Sequence, residues 1–128
     1  MTIITSKELA PPCGYSHGVL GTGRLLFIAG QIGWNAQGQI VSSDFVEQFD
    51  QALANVLSVV REAGGTADTV ARLTIYVTDK AEYLAAQESI GARYRVRMGR
   101  HYPAMTVVEV SALLEDGAKV EIEATAVL

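Results

Sequence analysis

A chain of 128 residues in which 49 % are hydrophobic can bury one core and is too short for two. Ten Lys and Arg against fourteen Asp and Glu leave a net charge of −4, which disfavours a nucleic-acid binder because phosphate contacts need a basic footprint. One cysteine, Cys13, excludes an intrachain disulfide and a cysteine-based zinc site.

No stretch is apolar over the roughly 18 residues that a membrane span requires. Met1–Glu8 lacks the basic and then apolar pattern of a leader. The expectation is a cytoplasmic protein with a single domain over residues 1–128. Its apolar richness fits two readings: some surface covered by other copies of the chain, the favoured one, or a tightly packed monomer.

Ala10-Pro11-Pro12-Cys13-Gly14 reads as a rigid, turn-prone segment. Gly18–Leu20 and Leu25–Ala29, separated by Gly21-Thr22-Gly23, predict a hairpin. Asn35-Ala36-Gln37-Gly38 predicts a further turn. Asp44, three residues before Glu47, has the spacing of a helix cap. Phe45, Phe49, Ala52, Val56 and Val60 then recur at helical spacing, and Gly64-Gly65 marks the helix end.

Leu73, Ile75 and Val77 alternate with Arg72, Thr74 and Tyr76, the pattern of a strand with one buried face. A second helix is predicted over Lys80–Met98, with Tyr83, Gln87, Ile90, Tyr94 and Met98 along one side. Two strand-like runs follow, Tyr102–Val110 and Val120–Ala124. This order predicts an α+β fold, a sheet with two helices packed on one face.

On a strand, Glu121 and Glu123 point to the same side, opposite Val120, Ile122 and Ala124. Two readings fit: a solvated polar face, or a carboxylate in a partly dry cleft that moves protons to and from water. Tyr15-Ser16-His17 places a phenol and an imidazole beside a rigid turn, as an exposed loop or a pocket lining. Having only His17 and His101 disfavours a histidine-rich metal site, and no metal is expected.

Arg93, Arg95, Arg97 and Arg100 form a basic run, either a solvated stripe closing a helix or an anion-binding face. Gly18-x-x-Gly21-x-Gly23 stands in a hairpin context with the wrong spacing for a dinucleotide fingerprint. Trp34 lines a pocket or plugs an interface.

Several segments, in order, resemble one family: Gly14-Tyr15-Ser16-His17-Gly18, Phe27-Ile28-Ala29-Gly30-Gln31-Ile32, Gln51-Ala52-Leu53-Ala54-Asn55-Val56, Ala63-Gly64-Gly65, Thr74-Ile75-Tyr76-Val77-Thr78-Asp79, Tyr102-Pro103-Ala104 and Val120-Glu121-Ile122-Glu123-Ala124. Together they are similar to the RidA (YjgF-like) family of imine and enamine deaminases. The resemblance implies a chorismate-mutase-like α+β fold with a mixed sheet. It also implies a homotrimer with clefts between subunits, and hydrolysis of reactive imines to carbonyl products and ammonia without a cofactor.

In that scheme Glu121 activates water, while Tyr15, Gly30, Gln31 and Thr106 line the cleft. The family's Pro-Ala-Arg-Ser is replaced by Pro103-Ala104-Met105-Thr106, so Met105 stands where an arginine forks onto the substrate carboxylate. Losing two charge-assisted hydrogen bonds, at about 1.5–3 kcal/mol each, costs roughly 10²–10⁴ in kcat/KM.

Three functions are compatible with these residues. One is a deaminase of altered substrate range that accepts less charged imines, or in which Arg100 or His101 supplies the cation. Another is a binding or regulatory trimer without hydrolysis. The third, an RNA-cleaving role, is disfavoured by the acidic balance.

Overall fold

Asp44 caps the first helix, accepting a hydrogen bond from the Glu47 N–H at 3.0 Å. The computed structural model, which describes residues 1–128, runs this helix, α1, over Phe45–Glu62. The capping box is only half formed. Asp44 N–H donates to Ser42 Oγ at 2.9 Å, and the Glu47 carboxylate turns instead to Arg93. The predicted stripe of Phe45, Phe49, Ala52, Val56 and Val60 is buried along its whole length. Gly64, at φ +89°, adopts the left-handed conformation that lets the chain leave the helix.

The chain also forms six strands: β1 (Thr2–Ile4), β2 (Gly18–Leu20), β3 (Leu25–Ile32), β4 (Val70–Val77), β5 (Ala104–Glu109) and β6 (Val120–Val127). Four of them form a mixed sheet in the order β3-β6-β4-β5, antiparallel except for the parallel pair β4–β5. Ile28, Leu73, Ile75, Val77, Val120, Ile122, Ala124 and Ala126 point to the helical side and meet α1 in one core. The opposite face carries no helix.

Two expectations are corrected. Gly18–Leu20 does not form a hairpin with the next strand but pairs with Thr2–Ile4 in a separate two-stranded sheet. Arg24 and Leu128 exchange backbone hydrogen bonds at 2.7 and 2.8 Å, which commits the start of β3 to the C-terminal strand. The second helix is also two helices, α2 (Lys80–Ala85) and α3 (Gln87–Met98), broken at Ala86 (φ −102°, ψ 8°). Tyr83 meets Phe45 edge-to-face at 6.3 Å on one side of the break, while Ile90, Tyr94 and Met98 enter the core on the other.

The basic run on α3 is divided in its use. Arg97 grips Asp50 of α1 with two hydrogen bonds of 3.0 Å, and Arg93 reaches Asp50 at 3.1 Å and also Glu47. These arginines therefore join α3 to α1 rather than forming a solvated stripe or an anion site. Buried Gln48 ties three loop groups together: its amide nitrogen donates to Ser42 and Gly117 carbonyls at 2.8 and 2.9 Å, and its oxygen accepts from Lys119 N–H at 2.8 Å.

The Arg97 hydrogen bonds above all hold the Asp50 carboxyl below its ordinary 3.8, against an opposing effect of burial and with help from the charges of Arg97 and Arg93. A depressed carboxyl stabilises the fold fully above 3.8 and loses that contribution as pH falls through its lower folded value. Asp50→Asn should therefore cost about 1 kcal/mol at neutral pH. In urea titrations at successive pH values, the gap to wild type should close below pH 3.8. A gap that persists in acid would mean that packing, not charge, is what the substitution removes.

Candidate active site

Alternation along β6 decides where the carboxylates go. Val120, Ile122, Ala124 and Ala126 are drawn into the core, so Glu121 and Glu123 are placed on the open face. Glu121 stands opposite Tyr76 of β4 and Ile32 of β3, and Glu123 opposite Thr74. The two acids then part in their surroundings. Glu123 accepts a hydrogen bond from the Tyr76 hydroxyl at 2.6 Å. That bond first, then burial, pushes the Tyr76 phenol up from its ordinary value.

Glu121 lies over the backbone of Gly30. Between Ile28 and Gln31 the register of β3 on β6 shifts by one residue, a bulge that brings Gly30 beneath the carboxylate. A Cβ at Gly30 would collide with that carboxylate and lie 2.8 Å from its Cδ. Asn55 of α1 holds the segment beyond the bulge, donating to the Ile32 and Trp34 carbonyls at 3.1 and 2.9 Å. Gln31 and half-buried Trp34 line a cleft beside Asn55, which puts Trp34 next to Gly30–Ile32.

Tyr15, Met105 and Thr106 gather elsewhere, around the sheet edge at β5. They share a cleft of about 530 Å³ with Ser16, His17 and Arg72. Ser16 pins this loop to β5, with its hydroxyl donating to the Tyr102 carbonyl and its N–H donating to the Pro103 carbonyl at 3.1 Å. His17 accepts from Ser6 N–H through Nδ1 at 3.1 Å and donates from Nε2 to the Ala10 carbonyl at 2.9 Å. Both ring nitrogens are thus occupied in holding the N-terminal segment.

Met105 stands opposite Leu73, so its side chain points to the helical side of the sheet. There it enters a cavity of about 620 Å³ lined by Phe49, Tyr83, Tyr94 and Tyr102, among others. Burial pushes the Tyr83 and Tyr94 phenols up, and Tyr94 more strongly.

Within one chain, Met105 and Glu121 therefore lie on opposite faces of the sheet. Tyr15, Met105 and Thr106 form one cluster, and Gly30, Gln31 and Glu121 another. Arg100, exposed in the turn after α3, belongs to none of the three clefts around Tyr15 and Met105. His101 is tied by Nε2 to the Val70 carbonyl at 2.6 Å.

The Tyr76–Glu123 pair and the Asn55 brace leave no signal in the sequence. Alternation put Tyr76 on the correct face, but its partner depends on which strand lies next to β4. No group of three or more His, Cys, Asp or Glu side chains is arranged to hold a metal ion, and no helix is long and apolar enough to cross a membrane.

Residues 5–128 match the family described as Endoribonuclease L-PSP, which covers nearly the whole chain. The chain belongs to the RidA (YjgF, RutC) family. A RutC family protein of Pyrococcus abyssi is 30 % identical over 97 % of this chain and 94 % of its own. The 2-iminobutanoate/2-iminopropanoate deaminase of Capra hircus is 34 % identical over 98 % of this chain and 88 % of its own. Among solved structures, the Rid family protein YyfB of Yersinia pestis superposes with a TM-score of 0.86 at 40 % identity, over 99 % of this chain and 98 % of that one. Escherichia coli TdcF with bound serine superposes with a TM-score of 0.73 at 30 % identity, over 100 % of this chain and 99 % of that one. The α+β fold is thus that of the RidA family.

The space over Gly30 makes a direct prediction. Glu121 can swing away from a new methyl group because it is the end of a flexible side chain. Gly30→Ala should therefore lower Tm by less than about 5 °C. It should also move the Glu121 carboxyl resonance in an NMR spectrum, and a large loss of stability with an unmoved resonance would contradict this packing.

Proposed function

We propose that this RidA-family protein is a hydrolytic deaminase of reactive imines and enamines, working as a homotrimer with its sites between copies. Its substrate range is set by Met105 where the family carries arginine. The observation that carries this reading is the Glu121 carboxylate held over the bare backbone of Gly30. That arrangement sets a carboxylate against backbone that carries no side chain, on the open face of the sheet where a second copy can complete a cleft. The deaminase relatives at 32–34 % identity support the same chemistry.

In the proposed reaction, Glu121 takes a proton from water as the water oxygen bonds to the imine carbon. The C=N pair moves to nitrogen, which is protonated, giving a carbinolamine. Collapse to C=O expels ammonia, so imine and water become carbonyl and ammonia. An enamine enters the same path after protonation at carbon.

A second copy is needed because the Tyr15–Met105–Thr106 cluster and the Gly30–Gln31–Glu121 cluster do not meet within one chain. Exposed apolar surface supports such assembly: Leu25 is 59 % and Phe27 74 % accessible on or beside the open face. An RNA-cleaving reading has less support, since His17 and His101 are both engaged with backbone groups.

Carbonyl release from freshly generated imines should depend on Glu121 and disappear in Glu121→Ala, which should remain trimeric in a sizing experiment. Co-refolding inactive Tyr15→Ala with inactive Glu121→Ala should restore about a quarter of the sites, as random mixing in a cyclic trimer requires. Trimers without turnover on any imine would favour a binding module instead. Recovery absent from the mixture would place each site within one copy.

Restoring the fork provides a second test. Met105→Arg should raise kcat/KM on 2-aminoacrylate by roughly 10²-fold or more. No gain would show that the cleft has changed in shape as well as in charge.

A further inference from the structure

We propose that the cavity beside Met105 binds the side chain of an apolar or aromatic 2-imino acid, with Arg95 holding its carboxylate. This deepens the deaminase reading by naming its substrate class.

Three observations converge on it. The cavity, about 620 Å³, is of ligand size, and its walls include Phe49, Tyr83, Ile90, Tyr94, Tyr102 and Met105. Methionine in place of a cation makes the β5 wall continuous with this aromatic lining, so an apolar substituent can lie where a guanidinium would stand.

Arg95 also lines the cavity, and no Asp or Glu does. Its neighbours in the basic run, Arg93 and Arg97, are consumed by Glu47 and Asp50 of α1, whereas Arg95 has no carboxylate partner. Burial raises the phenols of half-buried Tyr83 and buried Tyr94, so these walls carry no negative charge that would repel an anion.

Gly91, one turn before Arg95, also lines the space, and a Cβ there would lie 3.3 Å from Arg95 Nη1. The guanidinium thus lies back along α3, over a position with no side chain. It is a free, forked cation at the rim of an aromatic cavity, the geometry for a carboxylate attached to a bulky apolar group.

The test is calorimetric titration of the whole protein with three stable probes: phenylpyruvate, pyruvate and phenylacetone. Phenylpyruvate offers both the carboxylate and the ring, and the others offer one each. Wild type should bind phenylpyruvate most tightly. Arg95→Ala should weaken phenylpyruvate by at least about tenfold, as loss of a charge-assisted contact requires. It should leave phenylacetone unchanged, and Arg95→Lys should recover part of the loss.

Gly91→Leu, which fills the space, should weaken phenylpyruvate and phenylacetone alike. Equal phenylpyruvate affinity in wild type and Arg95→Ala, or no binding by wild type, overturns the assignment. The deaminase reading fails separately. Arg95-dependent binding without imine turnover would leave this site standing and remove the hydrolysis, whereas Glu121-dependent turnover that ignores Arg95 would do the reverse.

Discussion

The pairing of β6 between β3 and β4 is the constraint on which the rest of the molecule depends. This strand is antiparallel to both neighbours, and its small and branched residues Val120, Ile122, Ala124 and Ala126 form the floor on which α1 lies. Because side chains alternate along a strand, burying those four leaves Glu121 and Glu123 no choice of face. A one-residue slip would exchange carboxylates for core. The bulge at Ala29–Gly30 is compatible with this register and brings uncovered backbone under one of the two acids.

Polar groups away from the sheet serve mainly to hold the elements in place. Gln48 and Asn55, both on α1, satisfy carbonyls and an N–H of the loops flanking β3 and β6. Arg93 and Arg97 secure α3 to the same helix. The segment that presents Gly30 is therefore braced from behind by a rigid helix. A carboxylate that must be positioned for chemistry gains from such support, because orientation is worth more than an added contact.

Met105 gives the cavity under β5 an apolar rather than a charged wall. On the helical side of β5 a thioether joins Tyr83, Tyr94 and Tyr102 in an apolar wall, whereas a guanidinium would have demanded an anion or water. Arg95, which has no carboxylate partner, stands across the same cavity from this apolar wall.

The sequence by itself determined much of this protein. The period of α1, its Asp44 cap, the alternation in β4 and β6, and the family segments from Gly14 to Ala124 are local patterns, and each survives because burial enforces the same period that the residues display. The one continuous helix expected over Lys80–Met98 gave way at Ala86, and the Gly18–Leu20 hairpin gave way to pairing with Thr2–Ile4, because distant partners outweighed local turn preference. Only the tertiary structure decided that Met105 and Glu121 face opposite ways and that Arg93 and Arg97 are spent on α1 while Arg95 is free. Those facts depend on strand order, register and helix packing, which join residues tens of positions apart and leave no periodic trace in the chain.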